Sequence, residues 1–216
     1  MALNLTVLIM VLAITFLHSI FGFFSGLINV FCSVAAVAIT FGFYEALNNF
    51  VTGSFGGEYT AYTEPICFLV LFLLSMLILR SLADNYIRGN VKLPMLVDIG
   101  GAAVCGFINA QLFVGMLVLG LMMLPLGGSV LGYSAWQRNE FNEKDPDHPQ
   151  IAKFDRQHLW TRSDGFAVGL FNLLSNGAMS GDVAFASVYP DFAEALFFST
   201  NTVQQESSPT PYRSER

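Results

Sequence analysis

An all-α integral membrane protein, built as a four-helix bundle with a C-terminal extramembrane tail of short amphipathic helices, is the fold class this sequence predicts. Three observations predict it. Hydrophobic residues make up 54% of the 216 and charged residues only 12%, about half of the roughly 25% that a water-facing domain carries. Four apolar runs come close to the roughly 20 residues needed to cross about 30 Å of hydrocarbon. The charges are segregated as well. Residues 1–125 hold just Arg80, Arg88 and Lys92 against Glu45, Glu58, Glu64, Asp84 and Asp98, and every other charge lies beyond them. The chain therefore divides into an apolar domain, 1–125, and a water-compatible tail, 126–203, with a disordered end at 204–216. A net charge of −6 makes a nucleic-acid partner a poor expectation; the bilayer itself is the partner that composition implies.

The first span covers residues 3–24 and carries no charge. It lacks the basic start of a signal peptide, so it reads as a retained helix. Gly22-Phe-Phe-Ser-Gly26 interrupts the run, and a second span follows at 27–47. One unbroken helix over both would be far longer than a bilayer is thick, so the glycines mark a tight helical hairpin. Residues 48–64, rich in Asn, Gly and Thr, read as a loop. The third span, 65–82, opens on Pro65, which suits a first helical turn because its missing N–H is unpaired there anyway. The fourth span, 99–124, ends at Pro125-Leu-Gly-Gly128.

Lys and Arg in short loops set orientation. The third-to-fourth connection contains Arg80, Arg88 and Lys92, whereas the second-to-third contains no basic residue. The former is expected on the cytoplasmic side, which puts both termini outside and the tail, in a Gram-negative cell, in the periplasm. Residues 137–158 read as an exposed polar linker. Beyond Trp160, the apolar residues Phe166, Leu170, Phe171, Leu173 and Leu174, then Val188, Phe192, Ala195 and Leu196, recur at helical intervals. These segments are too short to span and are expected on the membrane surface or on the ends of the bundle.

Polar groups inside spans are the candidates for function, because lipid cannot satisfy them. His18, Asn29, Asn109 and Gln111 either line a shared polar path or link helices by hydrogen bonds. Arg80 and Asp84 are four apart and pair on one helix face. Asp98, just ahead of Gly100-Gly101, reads as a carboxylate at the positive end of a helix dipole. Gly22 and Gly26, then Ala102, Gly106 and Ala110, recur every four residues and let backbones approach, either within the bundle or in a homo-oligomer. The three cysteines, Cys32, Cys67 and Cys105, sit in apolar runs with no zinc spacing. Asp145, Asp147, His148 and His158 have the residue types of metal ligands but match no metal pattern. No phosphate-binding loop, dinucleotide fingerprint, nucleophile elbow or HExxH occurs in the sequence. No cofactor, metal or catalytic residue is therefore expected.

Gly22-Phe-Phe-Ser-Gly26-Leu27, together with Leu93-Pro94-Met-Leu-Val-Asp98-Ile-Gly-Gly101 leading to Gly106, resembles the CvpA family, the colicin V production proteins, over residues 5–125. The tail segments Leu159-Trp-Thr-Arg-Ser-Asp-Gly-Phe166 and Asn172-Leu-Leu-Ser-Asn-Gly177 look like the extension of longer bacterial members. Two departures stand out. Phe24 and Ser25 occupy places where relatives carry basic residues, and Ile99 stands where many have Arg. The resemblance implies a non-enzymatic protein of the bacterial inner membrane with a role in toxin production or export and in envelope homeostasis. It implies membrane-protein partners and supplies no catalytic residue. The alternative is a small transporter or channel component, in which His18, Asn29, Asn109 and Gln111 face one cavity.

Overall fold

The computed structural model describes residues 2–55, 60–87, 94–124, 131, 133, 136–138, 154–156 and 159–176. The described chain is all-α apart from one short strand pair. Its helices are α1 (Ala2–Phe21), α2 (Phe23–Phe55), α3 (Thr60–Tyr86), α4 (Met95–Met122) and α5 (Ser163–Asn176), with strands β1 (Trp136–Arg138) and β2 (Phe154–Arg156) between α4 and α5. The first four helices are each long and apolar enough to cross a bilayer, which fits a multi-pass membrane protein.

The hairpin between α1 and α2 is tighter than the sequence suggests. Gly22 alone breaks the helix, with φ at +86°, and α2 begins at the next residue. An L side chain rarely adopts that backbone angle, which is why glycine stands there. Helices α2 and α3 overrun the expected loop at 48–64: α2 continues to Phe55 and α3 already starts at Thr60. Polar residues such as Asn48, Asn49 and Thr52 mark the edge of the apolar run, not the end of the helix, because backbone bonds within a helix are indifferent to where lipid stops. Pro65 consequently lies one turn inside α3. It removes one backbone bond there without ending the helix.

Helix α1 packs chiefly on α4, and α3 chiefly on α2, with α2 and α4 also in broad contact. Helix α4 is the centre, with buried residues along much of its length from Ala102 to Gly120. Hydroxyls within the spans bond back one turn: Thr15 to the Val11 carbonyl and Thr40 to that of Ala36, each at 2.7 Å. Such back-bonding hides a polar group that lipid could not satisfy.

The tail departs from expectation in two places. Within the expected linker 137–158, β1 and β2 pair antiparallel, with Gln137 opposite Asp155, so part of that segment is ordered by a backbone ladder that composition does not reveal. Helix α5 does not ride on the end of the bundle. Ala167 and Phe171 join Phe41, Phe68, Phe72, Leu112 and Met116 in one buried cluster, so α5 completes the bundle's own core. The amphipathic pattern at 188–196 and the end at 204–216 lie outside the described residues.

Candidate functional site

Three polar ties hold the end of the bundle where α1 turns into α2. The backbone N–H of Phe23 donates to Asp98 Oδ1 at 2.8 Å. Asp98 thus caps the first turn of α2, whose unpaired N–H groups and positive dipole end favour a carboxylate. Its own helix, α4, follows Pro94, which supplies no side-chain cap. Asp98 lies in the first turn of α4, at the positive dipole end expected from sequence, and its hydrogen bond serves the neighbouring helix α2 as well. The Arg80 guanidinium donates from Nη2 to Ser25 Oγ at 3.0 Å and from Nη1 to the Ser25 carbonyl at 3.3 Å. It also meets Asp84 in two contacts, at 3.0 and 3.2 Å. Arg80 therefore clamps α3 to the start of α2, and Asp84 holds its charge.

Small residues let these helices close up. A Cβ on Gly26 would stand 3.1 Å from Cys105 Cβ, and one on Gly106 would stand 2.5 Å from His18 Cβ. Gly101 lies under the Phe23 ring in the same way. The four-residue pattern of α4 is thus the seat of the α1–α2 hairpin within one chain.

Above this end the polar side chains converge. His18 Nδ1 sits 2.9 Å from the Ile14 carbonyl, and its Nε2 sits 2.8 Å from Asn29 Nδ2. A carbonyl can only accept, so Nδ1 carries the proton and Nε2 accepts from the Asn29 amide. Next along, Ser33 Oγ lies 2.5 Å from Asn109 Oδ1 and 2.9 Å from the Asn29 carbonyl. One hydroxyl proton serves one acceptor at a time, and the closer one, Asn109, takes it. Asn109 is 2% exposed, and its Nδ2 has no hydrogen-bond partner among the described residues.

His18, Asn29, Ser33 and Asn109 line a single cleft of about 270 Å³, walled by Met76 and Phe113. The cleft draws on α1, α2, α3 and α4, and lies between α1 and α3, which pack on different partners. At its rim Leu17 and Phe21 are 51% and 65% exposed, so the mouth opens sideways, toward the lipid. Asn109 stands 11 residues beyond Asp98, about 16 Å along the helix at a rise of 1.5 Å, so the cleft runs from Phe21 beside the hairpin to the middle of α4.

Gln111 does not join this group. Its Oε1 accepts from Ser163 Oγ at the start of α5, on another face of α4. It lines a separate depression of about 480 Å³ with Phe107, Thr161 and Arg162. Three of the four polar residues singled out from sequence thus share one cavity, and the fourth anchors the tail. Ser33 and the Ser163 anchor escaped the sequence reading. Ser33 stands four residues after Asn29, so the pair shares one face of α2, and that spacing was the available signal. Among the described residues no group of three or more His, Cys, Asp or Glu could hold a metal ion.

Comparison with protein-family models, with curated proteins and with solved structures found no match to this chain.

Proposed function

We propose that this chain is a non-enzymatic multi-pass protein of the bacterial inner membrane, of the CvpA type, acting as an accessory in toxin production or export and in envelope maintenance. One observation carries the reading: the two segments that hold the resemblance, the Gly22 hairpin and the Asp98 segment, meet through the Phe23–Asp98 bond. Motif residues joined in that way set the order of the helices. Arg80 also ties α3 to Ser25 of α2, with Asp84 of the same helix paired to it, as suits a scaffold. On this reading the tail is periplasmic and offers α5 and the residues beyond it to membrane-protein partners or to a second copy of the chain.

The test is genetic. Deleting the gene should impair toxin release or sensitise the envelope, and the full chain should restore both. A chain lacking residues 160–203 should fail to restore them, and full complementation by it would remove the tail from the mechanism. A reporter fused after Arg216 should read as periplasmic, and a cytoplasmic signal would reverse the orientation.

The cleft favours a second reading, a small transporter or channel component. With no formal charge among its lining residues, a neutral or amphiphilic cargo suits it better than an ion. Proteoliposomes that pass such a solute only when the chain is present would move the assignment to this class.

A further inference from the structure

We propose that the depression between α4 and the start of α5 binds the head group of phosphatidylethanolamine, with its ammonium on Asp164 and its phosphate on Arg162. The inference goes beyond the accessory role and rests on the spanning bundle with α5 seated in it. The depression, about 480 Å³, is lined by Phe107 and Gln111 on one side and by the start of α5 on the other. Asp164 carries the argument. It is 6% exposed and makes no hydrogen bond or ion pair among the described residues. Its oxygens are not among the polar atoms sealed inside the protein, so they are reached through the depression that Asp164 lines. A carboxylate in that position is costly until an opposite charge or an N–H donor meets it. The dipole of α5 favours a negative charge at this end, yet no backbone N–H among the described residues bonds to it, and its lone pairs stay open.

Arg162 lines the same depression, and its guanidinium has no partner among the described residues either. The two charges form no ion pair with each other, so each is open to a separate group. The fitting ligand therefore carries both an ammonium and an oxyanion. The Asp164 carboxylate separates the candidates: an ethanolamine ammonium donates N–H bonds, a choline ammonium has none to donate, and a glycerol head group has no cation. The walls point to a lipid as the source. Phe107 and Phe166 are exposed beside the charges, and Val104, one turn from Phe107 on the same helix, is exposed as well. The exposed Trp160, a residue type that favours the head-group level, donates its backbone N–H to Asn4 Oδ1 at the start of α1. Arg162 follows two residues later. A lipid fits that layout, with its charges toward Trp160 and its chains along Phe107 and Val104. A free zwitterion such as glycerophosphoethanolamine would meet the charges but leave the apolar wall bare.

The full-length chain in detergent is titrated with dioleoyl lipids and read by native mass spectrometry. One phosphatidylethanolamine should bind roughly tenfold more tightly than phosphatidylcholine or phosphatidylglycerol, on the scale of one charged hydrogen bond. Asp164→Asn should bring phosphatidylethanolamine and phosphatidylcholine to parity. Arg162→Gln should weaken all three lipids, since each carries a phosphate. Gly165→Trp fills the depression from a position where a Cβ meets nothing within 4 Å. It keeps both charges, should lower phosphatidylethanolamine binding roughly tenfold, and carries the test if D164N does not fold. Equal binding of phosphatidylethanolamine and phosphatidylcholine to the wild-type chain overturns the proposal, as does a preference that survives in both D164N and G165W. Competition by soluble glycerophosphoethanolamine as strong as by the lipid overturns the lipid as the source and assigns the depression to free zwitterions.

Discussion

The two halves of α4 hold their neighbours by different means. Toward Asp98 the contacts are small residues and polar ties: Gly101 under Phe23, Gly106 against His18, and the Asp98 carboxylate on a backbone N–H. Toward Met122 they are large side chains, with Leu112, Met116 and Leu119 among Phe41, Phe68, Phe72 and Phe171. Gly115 and Gly120 break that pattern, Gly120 against the Leu69 side chain and Gly115 where the Ser163 carbonyl presses on α4. The first half is locked by geometry that few substitutes can supply. The second is locked by volume, and a helix from the tail supplies part of that volume.

The largest effect is expected where the halves meet the tail. Gly115→Leu would drive a side chain into the backbone of Ser163, which cannot yield as a flexible side chain can. Helix α5 should leave its seat and take Ala167 and Phe171 with it. The loss is on the order of 5 kcal/mol, since several buried side chains at roughly 2 kcal/mol each are released together. Limited proteolysis in detergent should then cut within 159–176 while the first four helices stay protected. Phe171→Ala comes next. It empties the site stacked on Phe41, with ring centroids 4.6 Å apart, and should cost about 3 kcal/mol as a large-to-small change, read as a lower SDS-unfolding midpoint. A wild-type midpoint would mean that α5 adds nothing to the Met122 half.

The contrast explains what was legible in the sequence. The number of spans, the hairpin at Gly22 and the Arg80–Asp84 pair follow from hydropathy, from a glycine at the break and from a four-residue spacing. The convergence of His18, Asn29 and Asn109 was open at that level, because periodicity does not say which face of α1 meets which face of α2. The seat of α5 was illegible for a physical reason. Its 14 residues include Asp164, Gly165 and Gly169, which lower its hydropathy below that of a span, yet Ala167 and Phe171 reach the core with Val168 and Leu170 packed against it. The matching notch, Gly115, is one of several glycines in α4 and nothing local distinguishes it. The helical extensions to Phe55 and from Thr60 are not legible in sequence, because a polar stretch ends an apolar run without ending the helix that carries it.

At the Asp98 end the test is coupling. Gly22→Ala places a Cβ at φ +86° and 3.2 Å from Asp98 Oδ1, and the left-handed backbone alone costs about 1–2 kcal/mol. Asp98→Ala removes the cap on Phe23 and should cost about 1 kcal/mol. Together they should cost less than their sum, because deleting the carboxylate relieves the crowding that the new methyl creates. Strict additivity in unfolding titrations would show that Gly22 is required by its backbone angle alone.

The smallest effect belongs to the tie between the two regimes. Ser33→Ala deletes the bond to Asn109 Oδ1 while keeping a small side chain at that helix contact. Interhelical bonds of this kind are worth about 0.6 kcal/mol in membranes, because the separated helices also find partners for their polar groups. A slight fall in the unfolding midpoint is therefore the expected outcome. The ranking is the sharper result. If S33A cost more than D98A, the bundle would be organised from its buried middle outward, and the capped hairpin would be a consequence of that order. If S33A stays the mildest of the set, Asn109 is held by packing and not by its one bond.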